Sequence, residues 1–450
     1  MLAQLASIAV LAASSTAFSA AQETDPPEDR RIATVPDKHD LPTAFAFSPD
    51  GERVAFLARK KRRLYAYVDG EDVGYGDDGY TPVFSENGEH VFISLVKRNK
   101  NRTEKWTVYC DGEVVAREDW IGPLTSSFDG DTIAFWTQPG YRTDKEGESI
   151  LERACLVIAH RKKRAFRQTK SKVYEWGATF EAPLLVENDT RVVGNTYWDG
   201  TGTIVSVGGK KDEVLHSRTG YFLHATWTKD GSHVAAVIRN YGDRDSFTER
   251  PPYSPYEVFV DGRVTNVQAD AWALPTWSPN GEHLAFGFHR DERFGVGVGE
   301  AMVPLGEDPI LRVMVDSSGT RLVWVVREGG EAPPSTWLRR YARSEVLGGR
   351  ERVGMIEIVP ELGGIPEGEE IEPTLGNKFE EIGQLVFTPD EERLVYTARD
   401  GAMWFVVSGE DRIGPFDAVG KLRFLDDRTV AIGTREGRDF WTRHLRLTDG

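Results

Sequence analysis

The chain has 450 residues and a net charge of −16, with 45 Gly, 12 Trp, 14 Tyr and 22 Phe but only 5 Met. That length can bury one large core or two to three ordinary ones, and a charged, Gly- and aromatic-rich composition favours short strands with tight turns over helical packing. The acid excess lies mostly in the second half and disfavours binding to nucleic-acid backbones.

Residues 1–22 contain no charged side chain, and MLAQLASIAVLAASSTAFSA is an apolar stretch that ends in small residues. This is the pattern of a secretory signal over residues 1–21, so an exported protein, periplasmic or extracellular, is expected. The acidic, Pro-rich ETDPPED then opens a tail over residues 22–42, in which IATV (Ile32 to Val35) can serve as a ring-closing strand. No later run of about 18 apolar residues occurs, so no membrane span is expected in the mature chain.

From residue 43 one phrase recurs. FSPDGERVAFLA (Phe47 to Ala58) returns as FSENGEHVFI, SFDGDTIAFW, WTKDGSHVAAV, WSPNGEHLAFG, VDSSGTRLVWV and FTPDEERLVYT, with degenerate copies LVENDTRVVG and FLDDRTVAIG. A second phrase joins a strand, an Asp-Gly or Ser-Gly turn and another strand, as in AYVDGEDV, VYCDGEVV and VFVDGRVT. Both turns are two-residue hairpin chemistry, because Asp or Asn followed by Gly tolerates positive φ. A unit of roughly 40 to 45 residues with four antiparallel strands, a to d, is a propeller blade.

The expected fold is all-β: a single β-propeller of four-stranded antiparallel blades over residues 43–450. Nine copies imply eight or nine blades, or seven if a copy belongs to an insertion, and an irregular insertion is expected at about 344–375. The phrase Ser48 to Gly51, and SPNG at Ser278 to Gly281, resembles the TolB-like, WD40-like (SPDG-repeat) β-propeller family. That resemblance implies a fold and no chemistry, since its members include periplasmic partner-binding proteins and noncatalytic propellers of peptidases.

Chemistry is sparse in this pattern. There is no G-x-S-x-G elbow, no H-E-x-x-H and no paired-Cys zinc spacing, so no catalytic residue, metal or cofactor is assigned. His90, His233 and His283 share one repeat position, which other copies fill with Arg53, Arg321 and Arg393, and are expected to be solvent-facing strand starts. The two cysteines, Cys110 and Cys155, are expected to be buried and unpaired.

Strand order sorts the loops. Turns a to b and c to d fall on one face, and the longer b to c loops and d to a connections fall on the other. The b to c loops hold basic clusters, Arg59 to Arg63 and Lys97 to Arg102, whose plain reading is a solvated loop. The d to a connections pair an acid with an aromatic: Asp78 with Tyr80, Asp119 with Trp120, Glu175 with Trp176, Asp270 with Trp272. Tyr80, Asp119, Trp120, Trp176, Asp270 and Trp272 are therefore the candidate ligand-binding residues, for a protein, peptide or glycan partner of a monomeric scaffold. The opposing reading has the aromatics wedged between blades and the acids capping turns. An alternative function is a carbohydrate-active hydrolase or lyase using Asp119 and Asp270 as paired carboxylates.

Overall fold

A computed structural model describes residues 28–448 except 43, 100–103, 139–141, 144–148, 151–152, 163–164, 171–173, 176–183, 187–190, 199–200, 209–212, 220, 229–231, 240–255, 262, 270, 273–274, 291–292, 300, 330–348 and 358–372. Among the described residues the strands form nine sheets of four or five strands and one separate two-stranded hairpin, Arg142–Thr143 with Ser149–Ile150, in the b to c loop of the third sheet. Eight of the nine sheets run a to d in chain order, the ninth takes its outer strand from the start of the chain, and every pairing is antiparallel. The chain is an all-β propeller, and the nine sheets among its described residues match the highest of the blade numbers expected, seven, eight or nine.

Blade 1 consists of Ala44–Phe47, Val54–Lys60, Arg63–Val68 and Glu71–Gly76. Blade 2 pairs the split inner strand Asp78–Gly79 and Val83–Phe84 with Val91–Arg98, Glu104–Cys110 and Glu113–Glu118. Blade 3 uses Ile121–Ser126, Thr132–Thr137, Arg153–Lys162 and Ala165–Lys170. Blades 4, 5 and 6 follow with inner strands beginning at Leu184, Tyr221 and Ala271. Blade 7 takes its third strand, Arg350–Glu357, from inside the segment expected to be an irregular insertion, beside Ile310–Val315, Arg321–Glu328 and Thr374–Phe379. The signal lost there was the c strand RERVGMIE, which is flanked by long stretches without alternating apolar residues. Blade 8 runs from Glu381–Phe387 to Asp411–Phe416. Blade 9 combines Arg423–Phe424, Thr429–Glu436 and Asp439–Arg446 with Arg30–Thr34 from the other end of the chain.

The repeated phrase folds by local hydrogen bonding. Ser48 Oγ donates to Asp50 Oδ1 at 2.5 Å and accepts Arg53 N–H at 2.9 Å, while Asp50 Oδ1 accepts Glu52 N–H at 3.0 Å. Ser85 with Asn87, Ser127 with Asp129 and Ser278 with Asn280 repeat the bond at 2.6 to 2.7 Å. These serines are buried, so the hydroxyl satisfies turn backbone that water cannot reach. The turn glycine is fixed twice over: Gly51 has φ +72°, and a Cβ there would lie 3.1 Å from Gly433 N of blade 9.

The second turn is tied to the first. Asp69, Asp111 and Asp261 occupy the left-handed region at φ +46° to +51°. One carboxylate oxygen of each accepts the N–H of Val54, Val91 or Val234 at 2.8 to 3.0 Å. The other accepts Arg53 Nε at 2.9 Å, or meets His90 Nδ1 or His233 Nδ1 at 2.6 Å. Of the histidines expected to face solvent, His233 is exposed as expected and His90 is half-buried, and both also clamp a turn aspartate. His90 lies where a Cβ on Gly130 of blade 3 would meet its ring at 2.8 Å, and His283 is placed likewise against Gly319 of blade 7. Arg53 spans a seam too, donating to Glu89 O of blade 2 at 2.5 Å.

The core is a ring of interblade clusters. One joins blades 2 and 3 through Phe92, Trp106, Val108, Ile121, Phe135 and Trp136. Another closes the ring, with Phe440 of blade 9 stacked on Phe56 of blade 1 at 5.0 Å and edge-on to Phe47 at 5.7 Å. Gly433 allows this, since a Cβ there would meet the Phe47 ring at 2.1 Å. Thr442 Oγ1 also donates to Gly51 O across the seam at 2.6 Å. No helix among the described residues is long and apolar enough to cross a membrane.

Candidate binding face

The d to a connections carry acids because they end the next blade's second strand. Asp77 Oδ2 accepts Arg98 N–H at 2.7 Å, Asp308 Oδ1 accepts Gly329 N–H at 3.0 Å, and Asp417 Oδ2 accepts Gly437 N–H at 2.5 Å. Each carboxylate covers a backbone donor at a strand end, on the face where the ladder stops. Three acids of this class therefore have a structural task.

The predicted site residues divide. Tyr80 is exposed and its ring stacks on Trp106 at 4.6 Å and 19°, which puts an aromatic ring on the loop-rich side of blade 2. Asp119 is ion-paired with Lys105 and its side chain is 31% exposed. Trp120 is only 7% exposed and belongs to the cluster between blades 2 and 3, with its carbonyl accepting Thr137 Oγ1 at 2.7 Å. Its ring covers Gly122, where a Cβ would meet it at 2.9 Å, so Trp120 is a seam residue and offers no ligand-facing surface. The reason is that Ile121 starts the inner strand of blade 3, which carries its neighbour into the seam. Asp78 is exposed, accepts Gly79 N–H at 3.0 Å, and lies 3.8 Å from Arg98.

Trp176 and Asp270 lie outside the described residues, as does the side chain of Trp272, whose backbone pairs with Phe288. The pairing of Asp119 with Asp270 is therefore one end of a pair only, and that end is held by an ammonium group.

A second group on this face carried a weaker signal. Tyr75, 41% exposed on the outer strand of blade 1, has the Arg63 guanidinium 4.7 Å from its ring centroid and Lys97 Nζ at 4.1 Å. Arg63 follows the hairpin Lys61–Arg62 of blade 1, and Lys97 is the last residue but one of the second strand of blade 2, so the ring bridges two blades. Such contacts are worth about 0.5 to 1 kcal/mol each at exposed sites. Both basic clusters were visible in sequence, but only the fold places them on either side of one tyrosine.

The tight-turned face holds one mixed cluster among the described residues: His90, Cys110 and Asp111, with donor atoms within 4.8 Å of one another. Arg161 of blade 3 reaches into it, with Nη2 3.0 Å from Cys110 Sγ and 3.3 Å from His90 Nδ1, and Nε 3.3 Å from Asp131. Burial, reinforced by Asp111, pushes the Cys110 thiol up to about 12. A protonated thiol is a poor nucleophile, and with Arg161 reaching in from blade 3 the cluster is a cation-centred contact between blades. Cys155 is buried and free as well, as expected for both cysteines.

No protein-family profile and no curated protein matches this sequence. Similar solved structures are β-propellers. The Dos1 propeller is 11% identical, covering 94% of this chain and 96% of that one, with a TM-score of 0.45. The WD40 domain of SCAP from fission yeast is 9% identical over 94% and 98%, TM-score 0.41. The β-propeller domain of the Trilobed protease from Pyrococcus furiosus, described by its open velcro topology, is 12% identical over 74% and 94%, TM-score 0.37.

Proposed function

We propose that this chain is an exported, noncatalytic scaffold of the TolB-like, WD40-like repeat class that holds a protein or peptide partner on its loop-rich face. The observation that carries the reading is the exposed Tyr80, stacked on Trp106 in blade 2, together with the exposed Tyr75 between cations of blades 1 and 2. Rigid aromatics on a sheet scaffold lose little conformational entropy on binding, which is why they anchor partners. On the opposite face the turns clamp one another, and the exposed apolar residues Phe128 and Leu425 stand singly in the a to b turns of blades 3 and 9. Export rests on the charge-free leader at residues 1–21, and the monomeric state on the closure of the ring within one chain.

The test is photo-crosslinking in the native envelope fraction, with the crosslinker placed at position 80 or at position 282 on the tight-turned face. A defined adduct at position 80, absent at position 282 and lost on Tyr75→Ala, supports the reading. Adducts from position 282 alone would overturn it.

A further inference from the structure

The chain carries 16 more negative than positive charges, yet one corner of the loop-rich face gathers cations without counter-ions. Lys61, Arg62, Arg63 and Lys97 are all exposed. Among the described residues, none of the four has a carboxylate within salt-bridge distance. Elsewhere Arg399 pairs with Glu380 at 2.9 Å, Lys170 with Glu118 at 2.5 Å and Arg443 with Asp29 at 2.5 Å, while cations with no carboxylate in salt-bridge distance among the described residues, such as Arg117 and Lys421, are not gathered round one aromatic ring. Four neighbouring cations repel one another, and in an acidic protein there was ample carboxylate to neutralise them. Arg63 and Lys97 are also fixed in place, since both rest against the Tyr75 ring.

We propose that this corner of blades 1 and 2 binds an acidic peptide segment. The inference rests on the loop-rich face being the binding face and names the chemistry of its partner. Two or three Asp or Glu side chains meet Arg63, Lys97 and the Lys61–Arg62 turn, and an aromatic or aliphatic side chain lies on Tyr75. Arg63 suits this task because a guanidinium takes a carboxylate through two parallel hydrogen bonds.

A short acidic peptide fits better than a continuous polyanion. The basic stretch is flanked by Asp77, Asp78 and Glu104, of which Asp78 is 54% exposed in its side chain. Duplex DNA presents a charge about every 1.7 Å along its axis, so it would be driven across those acids, whereas a peptide can place neutral residues over them.

The experiment uses the full chain and fluorescence anisotropy with a fluorescein-labelled dodecapeptide of Asp, Glu and Tyr. Its comparators are the same peptide with Asn and Gln for the acids, and a labelled twelve-nucleotide single-stranded DNA. The expected result is at least about tenfold tighter binding of the acidic peptide than of either comparator, weakening with salt. Arg63→Glu with Lys97→Glu should weaken it by at least about tenfold, and Tyr75→Ala by about threefold. Lys162→Glu with Arg167→Glu, an equal charge change on blade 3, should leave it within about twofold.

Equal binding of the amide peptide, equal or tighter binding of DNA, or equal effects of the two charge reversals would overturn the proposal. Each variant is checked by circular dichroism; if the Glu pair misfolds, Arg63→Gln with Lys97→Gln is read instead. An adduct at position 80 that persists in the reversal variant and is not displaced by the acidic peptide would sink this inference while leaving the binding-face reading intact.

Discussion

Glu391 of blade 8 reaches across the seam to Ser317 of blade 7, accepting its hydroxyl at 2.6 Å and its N–H at 3.1 Å. Glu391 also holds φ +57°, the left-handed turn position that glycine fills at Gly51, Gly88, Gly130, Gly281 and Gly319. The departure from Asp-Gly in that copy therefore exchanges backbone comfort for an interblade bond. Glu391→Ala should destabilise the fold by about 2 kcal/mol, because two donors lose their acceptor while the strained φ remains. Glu391→Gly should cost less, by about 1 kcal/mol, since glycine relieves φ. Thermal melting of the three proteins side by side checks the order; Ala as stable as wild type would be the wrong outcome.

Closure of the ring depends on a position with no side chain. Gly433→Ala would drive a methyl into the Phe47 ring, and the seam must open or repack. A loss of roughly 1 to 3 kcal/mol is expected, seen as a lower melting temperature and faster proteolysis at residues 30–47. Gly433→Ala with Phe47→Leu should recover part of that loss.

The two aromatics next to predicted acids should behave oppositely. Trp120→Ala leaves a hole in the cluster between blades 2 and 3 and should cost about 3 to 5 kcal/mol. Tyr80→Ala should leave the melting temperature within a degree or two of wild type while lowering the yield of partner adduct from a crosslinker placed at position 62, on the same loop-rich face. Urea titration of both, compared with crosslinking yield, separates the roles.

His39 links pH to the seam. It is buried, its Nε2 lies 3.0 Å from the Tyr67 hydroxyl, and its carbonyl accepts Arg438 Nη2 of blade 9 at 2.9 Å. Burial, with Lys60 nearby, holds its pKa below the ordinary histidine value of 6.5. Below pH 6.5 the unfolded chain takes up a proton that the folded one resists, so this contribution is intact above 6.5 and is lost as pH falls through the folded pKa. The melting temperature should fall between pH 7.5 and 5.5 more in wild type than in His39→Gln; parallel curves would show that His39 is not the linked group.

The cysteines should be silent in the native state. With the Cys110 thiol pushed up to about 12 and Cys155 raised by burial, a thiol reagent at pH 8 should label neither within minutes. Both should react after denaturation.

Much of the fold was legible in the sequence because each SPDG-like turn carries its own hydrogen bonds: Ser48, Asp50 and Gly51 specify their hairpin without help from distant residues. The seams were not legible, because they join residues a blade apart, as Gly130 meets His90 and Gly433 meets Phe47. For the same reason His90 and His233 read as exposed strand starts, although each faces an aspartate about one hairpin later. Of the binding residues, Tyr80 kept its exposed place and Trp120 did not, since one stands before the split inner strand's second half and the other feeds a seam. The Tyr75 group could not be read at all, because Arg63 and Lys97 come from different blades.

The ninth sheet takes its fourth strand, Arg30–Thr34, from residues made about four hundred positions before their partners, Asp439–Thr442. During synthesis that early strand has nothing to pair with, and blade 1 waits with Phe47 and Phe56 uncovered until Phe440 has been added. The growing chain thus presents a sticky edge and an apolar patch for nearly the whole of translation, a hazard that chaperones commonly meet. Truncations that remove the last hairpin should therefore aggregate, since the blades already built would have lost the one strand that seals them.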